Sequence, residues 1–166
     1  MHDRTNETGA HIGRLYQEYR SPILAYLTRL IDDREAAEDL CQETFLKALR
    51  GWARHDPAAS PVAWIYRIAT NTAYDHLRRR RRAQLAPLID AEAIPGGHAA
   101  ESRLDEGEPV RSALAQLPPR YRVPLLLQAC EGRSLGEIAD ALGCSNGAVK
   151  MRLVRARIRF RELYQG

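Results

Sequence analysis

The C-terminal part of the chain carries side chains that suit the binding of duplex DNA. Residues 145–164 hold six basic side chains against a single acid, Glu162. The basic positions are Lys150, Arg152, Arg155, Arg157, Arg159 and Arg161. On a helix laid in the major groove, such groups bind phosphates and the edges of guanines. The simpler alternative is an amphipathic helix whose basic face only meets solvent.

A helix-turn-helix is the element that would place this basic segment on DNA. In the preceding segment the apolar positions follow a helical period: Leu135, Ile138, Ala139 and Leu142. Ser134 and Glu137 are predicted to form a capping box, and Gly143 supplies the left-handed residue that ends this helix. Ser145 then caps the second helix, whose core stripe is Val149, Leu153, Ala156, Phe160 and Leu163. Two helices joined by a short glycine turn favour DNA binding over a merely solvated helix.

A second candidate surface lies on a helix that begins at Ser60 and Pro61 and reaches five consecutive arginines at 78–82. One side is predicted to face inward: Val62, Ile65, Ala69, Thr72 and His76. The opposite side carries aromatic, amide, acidic and basic groups: Trp64, Arg67, Asn71, Tyr74, Asp75 and Arg78. Exposed tryptophan gains nothing from packing, so this face is unusual for the outside of a helical bundle.

Charge is segregated along the chain, although the formal net charge is only +4. Residues 32–43 hold six acids and one arginine, whereas residues 78–82 are all arginine. Separation of this kind indicates separate surfaces for separate partners, and the basic surfaces suit a polyanion.

Composition argues against several other classes of protein. The three cysteines form no CxxC pair, which predicts reduced thiols, and the five histidines are scattered, so no metal site is expected. The N-terminal segment is polar and no apolar run approaches about 18 residues, which predicts a cytoplasmic protein without membrane insertion. No nucleophile, base and orienting group share a motif, so neither an enzyme nor a cofactor is expected.

The hydrophobic periods predict an all-α protein of two small helical domains. Four helices are predicted before residue 83. The first covers residues 10–19, and the second begins at Ser21 as the N-cap and Pro22 as the first helical position. The third covers residues 34–50, and the fourth begins at residue 60. Proline and glycine interrupt the period over 83–104, which is predicted to be a flexible linker. The predicted division is a tail at 1–9, a first domain at 10–82, the linker, and a helix-turn-helix domain at 105–166. A helix over about 120–130 contains Pro124, which is expected to bend it or delay its start.

Three stretches of the chain resemble RNA polymerase sigma factors of the extracytoplasmic function (ECF) group, group IV of the housekeeping-type family. Residues 33–48 (DREAAEDLCQETFLKA) are similar to region 2.2, and residues 63–73 (AWIYRIATNTA) to regions 2.3 and 2.4. Residues 117–157 are similar to region 4. The resemblance covers residues 12–82 and 105–163. It implies a region 2 bundle, a region 4 helix-turn-helix, and promoter-specific initiation of transcription.

The resemblance also implies partners. Region 2.2 of the family docks on the clamp of the largest subunit of core RNA polymerase, and the matching residues here are Glu38, Asp39, Gln42 and Glu43. Further implied partners are the flap of the second polymerase subunit, promoter DNA and an anti-sigma factor. Carboxylates that face a basic coiled coil contribute steering and orientation more than affinity. Without the resemblance, these acids would read as a solvated helix face.

The helix with the arginine run is implied to read the −10 promoter element as a melted single strand. Its matching residues are Trp64, Arg67, Asn71, Tyr74, Asp75, Arg78 and Arg79. Unpaired bases can be received by aromatic stacking and by hydrogen bonds to their Watson–Crick edges. The loop over 54–59 matches the family's specificity loop, which accepts a flipped base. The alternative for Trp64 is half-burial against that loop.

The basic C-terminal helix is implied to read the −35 element as duplex DNA. The residues expected at the bases or phosphates are Ser145, Asn146, Lys150, Met151, Arg152, Val154 and Arg155. An alternative function is a stand-alone helix-turn-helix regulator with a helical sensor domain. That alternative leaves the region 2 motifs without a purpose.

Overall fold

The computed structural model describes residues 2–85 and 107–166, and side chains from residue 7 onward. These ranges form seven α-helices and one short 3-10 turn, Trp52–Arg54, with no strand among them. The helices are α1 His2–Ile31, α2 Arg34–Gly51, α3 Pro61–Leu85, α4 Glu108–Gln116, α5 Pro119–Ala129, α6 Leu135–Leu142 and α7 Asn146–Gln165. The predicted all-α class is confirmed. Most of the predicted linker, from residue 86 onward, lies outside the described residues.

The first region differs from the prediction at its N-terminal end. The predicted break at Ser21 and Pro22 is wrong, because α1 continues through Pro22 as one helix of 30 residues. A proline inside a helix costs about 3 kcal/mol. Helical packing offsets this cost, since Ile23 and Leu27 just beyond the proline are completely buried and each contributes about 1.5–3 kcal/mol. Residues 2–9, which were predicted as a tail, belong to the same helix.

Helix α2 follows the prediction closely. Its N-cap is Asp33, whose carboxylate accepts a hydrogen bond from the Ala36 amide at 3.1 Å. The predicted buried stripe is confirmed at each of its positions: Ala37, Leu40, Cys41, Phe45 and Ala48. The acids of this helix therefore lie on the faces that α2 leaves to solvent.

The helix-turn-helix is confirmed in detail. Ser134 Oγ accepts from the Glu137 amide at 3.2 Å, and the Glu137 carboxylate accepts from the Ser134 amide at 2.8 Å. The amide of Ser134 also lowers the pKa of Glu137. Gly143 has φ 62°, in the left-handed region. Ser145 Oγ accepts from the Ala148 amide at 3.1 Å and begins α7. Helix α5 runs across Pro124 and begins at Pro119, so its start is not delayed.

The two predicted regions pack directly against each other. One buried cluster joins Leu27, Ile65 and Tyr66 of the first region to Leu127 and Ile138 of the second. Helix α3 consequently buries two stripes. The predicted stripe is buried at Ile65, Ala69 and Thr72, with Val62 and His76 half-buried. The additional stripe is Ala63, Tyr66, Thr70 and Ala73. The sequence predicted a core for each region, and the structure joins them because α6 packs against α3.

Candidate nucleic-acid and protein interfaces

The acidic face of α2 lies opposite its buried stripe. Glu38, Asp39 and Gln42 are exposed and Glu43 is half-buried, so the structure brings these four predicted residues to one side of one helix. Arg34 Nε pairs with Glu38 at 3.1 Å, and Lys47 Nζ pairs with Glu43 at 2.8 Å. Both pairs stand in solvent, where ion pairs contribute little to stability. The carboxylates therefore remain available to a basic partner.

Two leucines extend this acidic face, and the sequence reasoning missed them. Leu46 and Leu49 are 52% and 45% exposed on α2, about one and two turns beyond Gln42. Their positions fall outside the period of the buried stripe, which was the signal that could have found them. Exposed apolar side chains beside carboxylates are typical of a protein interface with an apolar centre and a charged rim.

The outer face of α3 is only partly open to solvent. Arg67, Asn71, Arg78 and Arg79 are exposed, whereas Trp64, Tyr74 and Asp75 are half-buried. Arg78 forms an ion pair with the Asp75 carboxylate, and Arg79 Nε donates to the Asp75 carbonyl at 3.4 Å. The rest of the arginine run is exposed at the end of α3. This end of the helix therefore presents concentrated positive charge, which suits phosphates.

Trp64 is held by an aromatic cluster rather than standing free. The Trp52 and His55 rings stack at 4.7 Å and 4°, and His11 stacks on Trp52 at 5.3 Å. Trp64 meets Trp52 edge-on at 5.6 Å and His55 at 4.9 Å. The structure thus shows the half-buried alternative for Trp64, with this ring fixing the start of the predicted specificity loop. The sequence reasoning missed His11, Trp52 and His55. Trp52 and His55 lie three positions apart and are brought together by a local turn, whereas His11 reaches them only through the tertiary fold.

This packing predicts a stability effect for Trp64→Ala. Truncation removes two aromatic contacts and part of a buried ring, so we expect the free energy of unfolding to fall by about 2–3 kcal/mol. Urea denaturation followed by circular dichroism measures it. Leu85→Ala is the control, because it truncates a 73% exposed apolar side chain on the same helix and should leave the free energy of unfolding unchanged. A Trp64 that served only as a free stacking platform for bases would leave stability unchanged.

Tyr74 faces the helix-turn-helix rather than open solvent. Burial raises the pKa of its phenol, and the nearby Arg152 guanidinium opposes that shift. The Cys144 thiol, in the turn between α6 and α7, is also close enough to act on it. Tyr74 and Arg152 were predicted to bind different promoter elements, yet in the folded chain the Arg152 charge acts on the pKa of the Tyr74 phenol.

Helix α7 exposes most of the residues that were predicted to bind DNA. Asn146, Lys150, Met151, Val154 and Arg155 are exposed, whereas Arg152 is half-buried. The Ser145 hydroxyl is engaged as the helix cap. The backbone amide of Ser145 lies at the N-terminus of α7, and helix N-termini bind anions readily. Met151 and Val154 are 54% and 44% exposed, which suits contacts with thymine methyl groups.

A cleft between α5 and α7 adds a basic residue that was not predicted. It is lined by Arg120, Tyr121, Met151, Arg152 and Arg155. The Arg120 guanidinium lies 4.9 Å from the centre of the Tyr121 ring, and Arg159 lies 5.6 Å from the same ring. Arg120, Arg152 and Arg155 thus line one cleft and concentrate positive charge there. Arg120 precedes the helix-turn-helix in sequence, so only the fold brings it to this cleft.

Other kinds of site find little support in the part of the chain that the structure describes. Over those ranges, no group of three or more His, Cys, Asp or Glu side chains could hold a metal ion. Cys41, Cys130 and Cys144 are free thiols. None of the described helices has the length and apolar character needed to cross a membrane.

Comparison with known proteins matches two parts of the chain to one protein family. A family model described as Sigma-70 region 2 matches residues 15–83, and one described as Sigma-70, region 4 matches residues 107–160. The chain is 36% identical to the RNA polymerase sigma-H factor of Pseudomonas aeruginosa, over 86% of this chain and 80% of that protein. It is 35% identical to the ECF RNA polymerase sigma factor SigE of Mycolicibacterium smegmatis, over 92% of this chain and 58% of that protein. A solved structure of the sigma factor RpoE in complex with the anti-sigma factor NepR from Bartonella quintana is similar at a TM-score of 0.73 and 27% identity, over 92% of this chain and 96% of that one.

Proposed function

The chain belongs to the sigma-70 family of RNA polymerase sigma factors, in its ECF group, and from this premise we propose how its surfaces divide the work of initiation. A sigma factor directs promoter-specific transcription by binding core polymerase and recognising the −10 and −35 elements. It is a transcription initiation factor rather than a catalyst in itself. The stand-alone regulator is not favoured, because it leaves the match to region 2 unexplained.

The polymerase-docking surface is the acidic face of α2. Asp39 and Gln42 are its exposed polar centre, Glu38 and Glu43 flank them, and Leu46 and Leu49 supply apolar area. Carboxylates steer the chain to a basic coiled coil, and the leucines contribute the burial that retains it. This face would bind the clamp of the largest subunit, and region 4 would bind the flap of the second.

The −10 surface is the outer face of α3 together with the loop before it. Asn71 offers an exposed amide to a base edge, and Arg67 is exposed one turn earlier. Trp64 does not contact DNA itself but positions the specificity loop, because its ring contacts Trp52 and His55 at the start of that loop. Tyr74 would stack on a base only after it leaves its half-buried position. Arg78 and Arg79 would hold phosphates, with the Arg78–Asp75 pair opening on contact.

The −35 surface is the exposed side of α7. Lys150 and Arg155 would read base edges, Met151 and Val154 would contact thymine methyls, and Arg152 would hold a phosphate with Ser145 and Asn146. An arginine placed bidentate on a guanine discriminates that base by about 1–3 kcal/mol. The Arg120 cleft would extend the phosphate contacts beside it.

The regulation and the location of this chain are inferred from those of similar proteins. The similar RpoE structure is a complex with an anti-sigma factor, and we infer that an anti-sigma factor binds this chain as well. The site of action is the cytoplasm, with RNA polymerase, and the chain performs no reaction of its own.

The main support for this function is that the chain matches sigma-70 region 2 and then region 4 in order. The helices in these two matches each expose a face with side chains suited to polymerase or DNA. The test is run-off transcription of fragmented genomic DNA by core polymerase with and without the protein, followed by sequencing of transcript 5′ ends. We expect new start sites that share two upstream motifs. Start sites that are identical with and without the protein contradict the function.

The arginine run predicts a measurable salt dependence. Arg81→Gln/Arg82→Gln removes two exposed charges at the end of α3. Because each phosphate contact contributes about 0.9 to the slope of log K against log salt, we expect that slope to fall by roughly 2 on promoter DNA. Titration at several salt concentrations measures it. Arg14→Gln/Arg34→Gln removes two exposed charges from α1 and α2 and should leave the slope unchanged.

A further inference from the structure

Asn71, whose amide would read a −10 base, stands between two threonines whose hydroxyls are bonded to other helices. Asn71 is exposed, whereas Thr70 and Thr72 are buried. The Tyr26 hydroxyl of α1 and Thr70 Oγ1 share a hydrogen bond of 2.8 Å. Lys47 Nζ of α2 donates to Thr72 Oγ1 at 3.2 Å. Each chain neighbour of Asn71 is thus tied to a different helix.

The directions of these side chains follow from the helical period. Successive residues of an α-helix point about 100° apart, so Thr70 and Thr72 leave α3 on nearly opposite sides and Asn71 points between them. The two threonine contacts, Tyr26–Thr70 and Lys47–Thr72, therefore hold α3 from two sides at the turn that carries Asn71. A rotation of α3 about its axis, or a shift along it, would lengthen at least one of them.

Threonines in the two preceding helices bond to their own helix. Thr28 Oγ1 donates to the Leu24 carbonyl and Thr44 Oγ1 donates to the Leu40 carbonyl, both at 2.7 Å. A threonine that bonds to the carbonyl four residues earlier often bends its helix. The hydroxyls beside Asn71 instead meet side chains of α1 and α2.

The partners of these two threonines are themselves fixed. Tyr26 is completely buried, and its ring meets that of Tyr66 edge-on at 5.5 Å. Burial raises the pKa of the Tyr26 phenol, so the hydroxyl keeps its proton. Lys47 Nζ also pairs with the Glu43 carboxylate at 2.8 Å, in the favourable order of acid and then base four residues later. The Lys47 ammonium is therefore held between α2 and α3.

From these contacts we propose that Tyr26 and Lys47 are positioning residues for −10 recognition, because they set where the Asn71 amide stands. The proposal rests on the assignment of Asn71 to the −10 element. A hydrogen bond to a base edge needs a donor–acceptor distance of about 2.7–3.2 Å, so a small shift of α3 breaks it. Without the Lys47 ammonium, the buried Thr72 hydroxyl lacks its donor and turns to the carbonyl four residues earlier. The resulting bend falls at Asn71.

This positioning acts on the choice of base rather than on affinity for DNA in general. Phosphate contacts supply the affinity that does not depend on sequence, and base contacts supply specificity. The exposed arginines at the end of α3 take no part in the two threonine contacts. A displaced Asn71 loses its base while those arginines keep their phosphates. We therefore expect discrimination to fall by about tenfold, and at a single promoter position.

Lys47→Met tests the proposal, because methionine keeps an apolar stem and removes the ammonium. Open-complex formation is measured by permanganate reactivity, with core polymerase and an excess of the protein, so that weaker docking does not enter the ratio. The templates are a promoter found by run-off sequencing and versions of it changed at one −10 position each. Asn71→Ala identifies the position that Asn71 reads. Lys47→Met should lose about tenfold discrimination at that same position, and the double variant should lose no more.

Arg34→Met is the matched control for the lysine variant. It removes the base of the other exposed ion pair on α2, Arg34 with Glu38, and should keep full discrimination. Tyr26→Phe tests the second contact by removing only the hydroxyl, and it provides an independent route if Lys47→Met folds poorly. Tyr16→Phe, which removes the hydroxyl of an exposed tyrosine on the same helix, is its control.

Full discrimination in both Lys47→Met and Tyr26→Phe overturns the proposal. An equal loss at every −10 position, or the same loss in the control variants, also overturns it, since either result indicates a general structural effect. An Asn71→Ala chain that discriminates at every position contradicts the assignment of Asn71, and the proposal with it. Absence of promoter-specific initiation by the unmodified chain would instead contradict the sigma function itself.

Discussion

Asp39→Arg is expected to lower the affinity of this sigma factor for core RNA polymerase by roughly 100-fold, because like charges brought together at an interface cost several kcal/mol. Asp39 is exposed at the centre of the acidic face of α2, between the pairs that Glu38 and Glu43 form with neighbouring bases. The substitution replaces the steering charge with one that a basic clamp repels. Surface plasmon resonance on immobilised core polymerase measures the loss.

The control for this prediction is Glu18→Arg, which makes the same change in net charge at an exposed position of α1. The affinity of this variant for core polymerase should remain within a factor of about three of that of the unmodified chain. A surface charge outside the interface acts on the partner only over a long distance, where salt screens it. Both variants should unfold at the same temperature as the unmodified chain. Unchanged polymerase affinity in Asp39→Arg would remove α2 from the docking surface.

Arg122→Met is expected to cost about 3 kcal/mol of stability, because it leaves two buried carbonyls without a donor at about 1–3 kcal/mol each. Arg122 is 7% exposed and donates to the carbonyl of Leu30 at 2.6 Å and to that of Leu117 at 2.8 Å. Leu30 lies in the last turn of α1, and Leu117 directly follows α4. The final carbonyls of a helix have no partner within it, so Arg122 completes the ends of two helices at once.

Thermal unfolding followed by circular dichroism measures this loss, which corresponds to a fall in Tm of about 10 °C for a chain of this size. The matched control is Arg120→Met on the same helix. Arg120 is exposed and stacks on Tyr121, so its replacement should cost no more than about 1 kcal/mol. Equal losses in the two variants would show that the buried contacts of Arg122 contribute nothing special.

Local patterns determined much of this protein. The capping box at Ser134 and Glu137, the left-handed Gly143 and the cap at Ser145 each involve residues within a few positions of one another. The apolar period of α2 identified its buried stripe, since a helix repeats its faces every three to four residues. The family was indicated separately, by the resemblance of the motifs at residues 33–48, 63–73 and 117–157, in that order, to sigma factors.

Propensity rules were misleading where tertiary packing overrode them. Ser21 and Pro22 carry the signature of a helix start, yet α1 continues through them because Ile23 and Leu27 are buried only if the helix does not turn away. Trp64 was assigned to an exposed face from the helical wheel. A helical wheel shows the direction of a side chain but not which residues of other segments pack against it. Here Trp52 and His55, which lie outside α3, contact the Trp64 ring.

The amino-acid sequence by itself determined the helices, their caps, the distribution of charge and the family, because these depend on neighbours within about a turn or on ordered motifs. Only the tertiary structure decided that Tyr66 meets Glu131, that Arg122 completes α1, and that α6 packs against α3. Those contacts join residues far apart in the chain. Their partners are selected by shape and by the burial of polar groups, which no local period encodes.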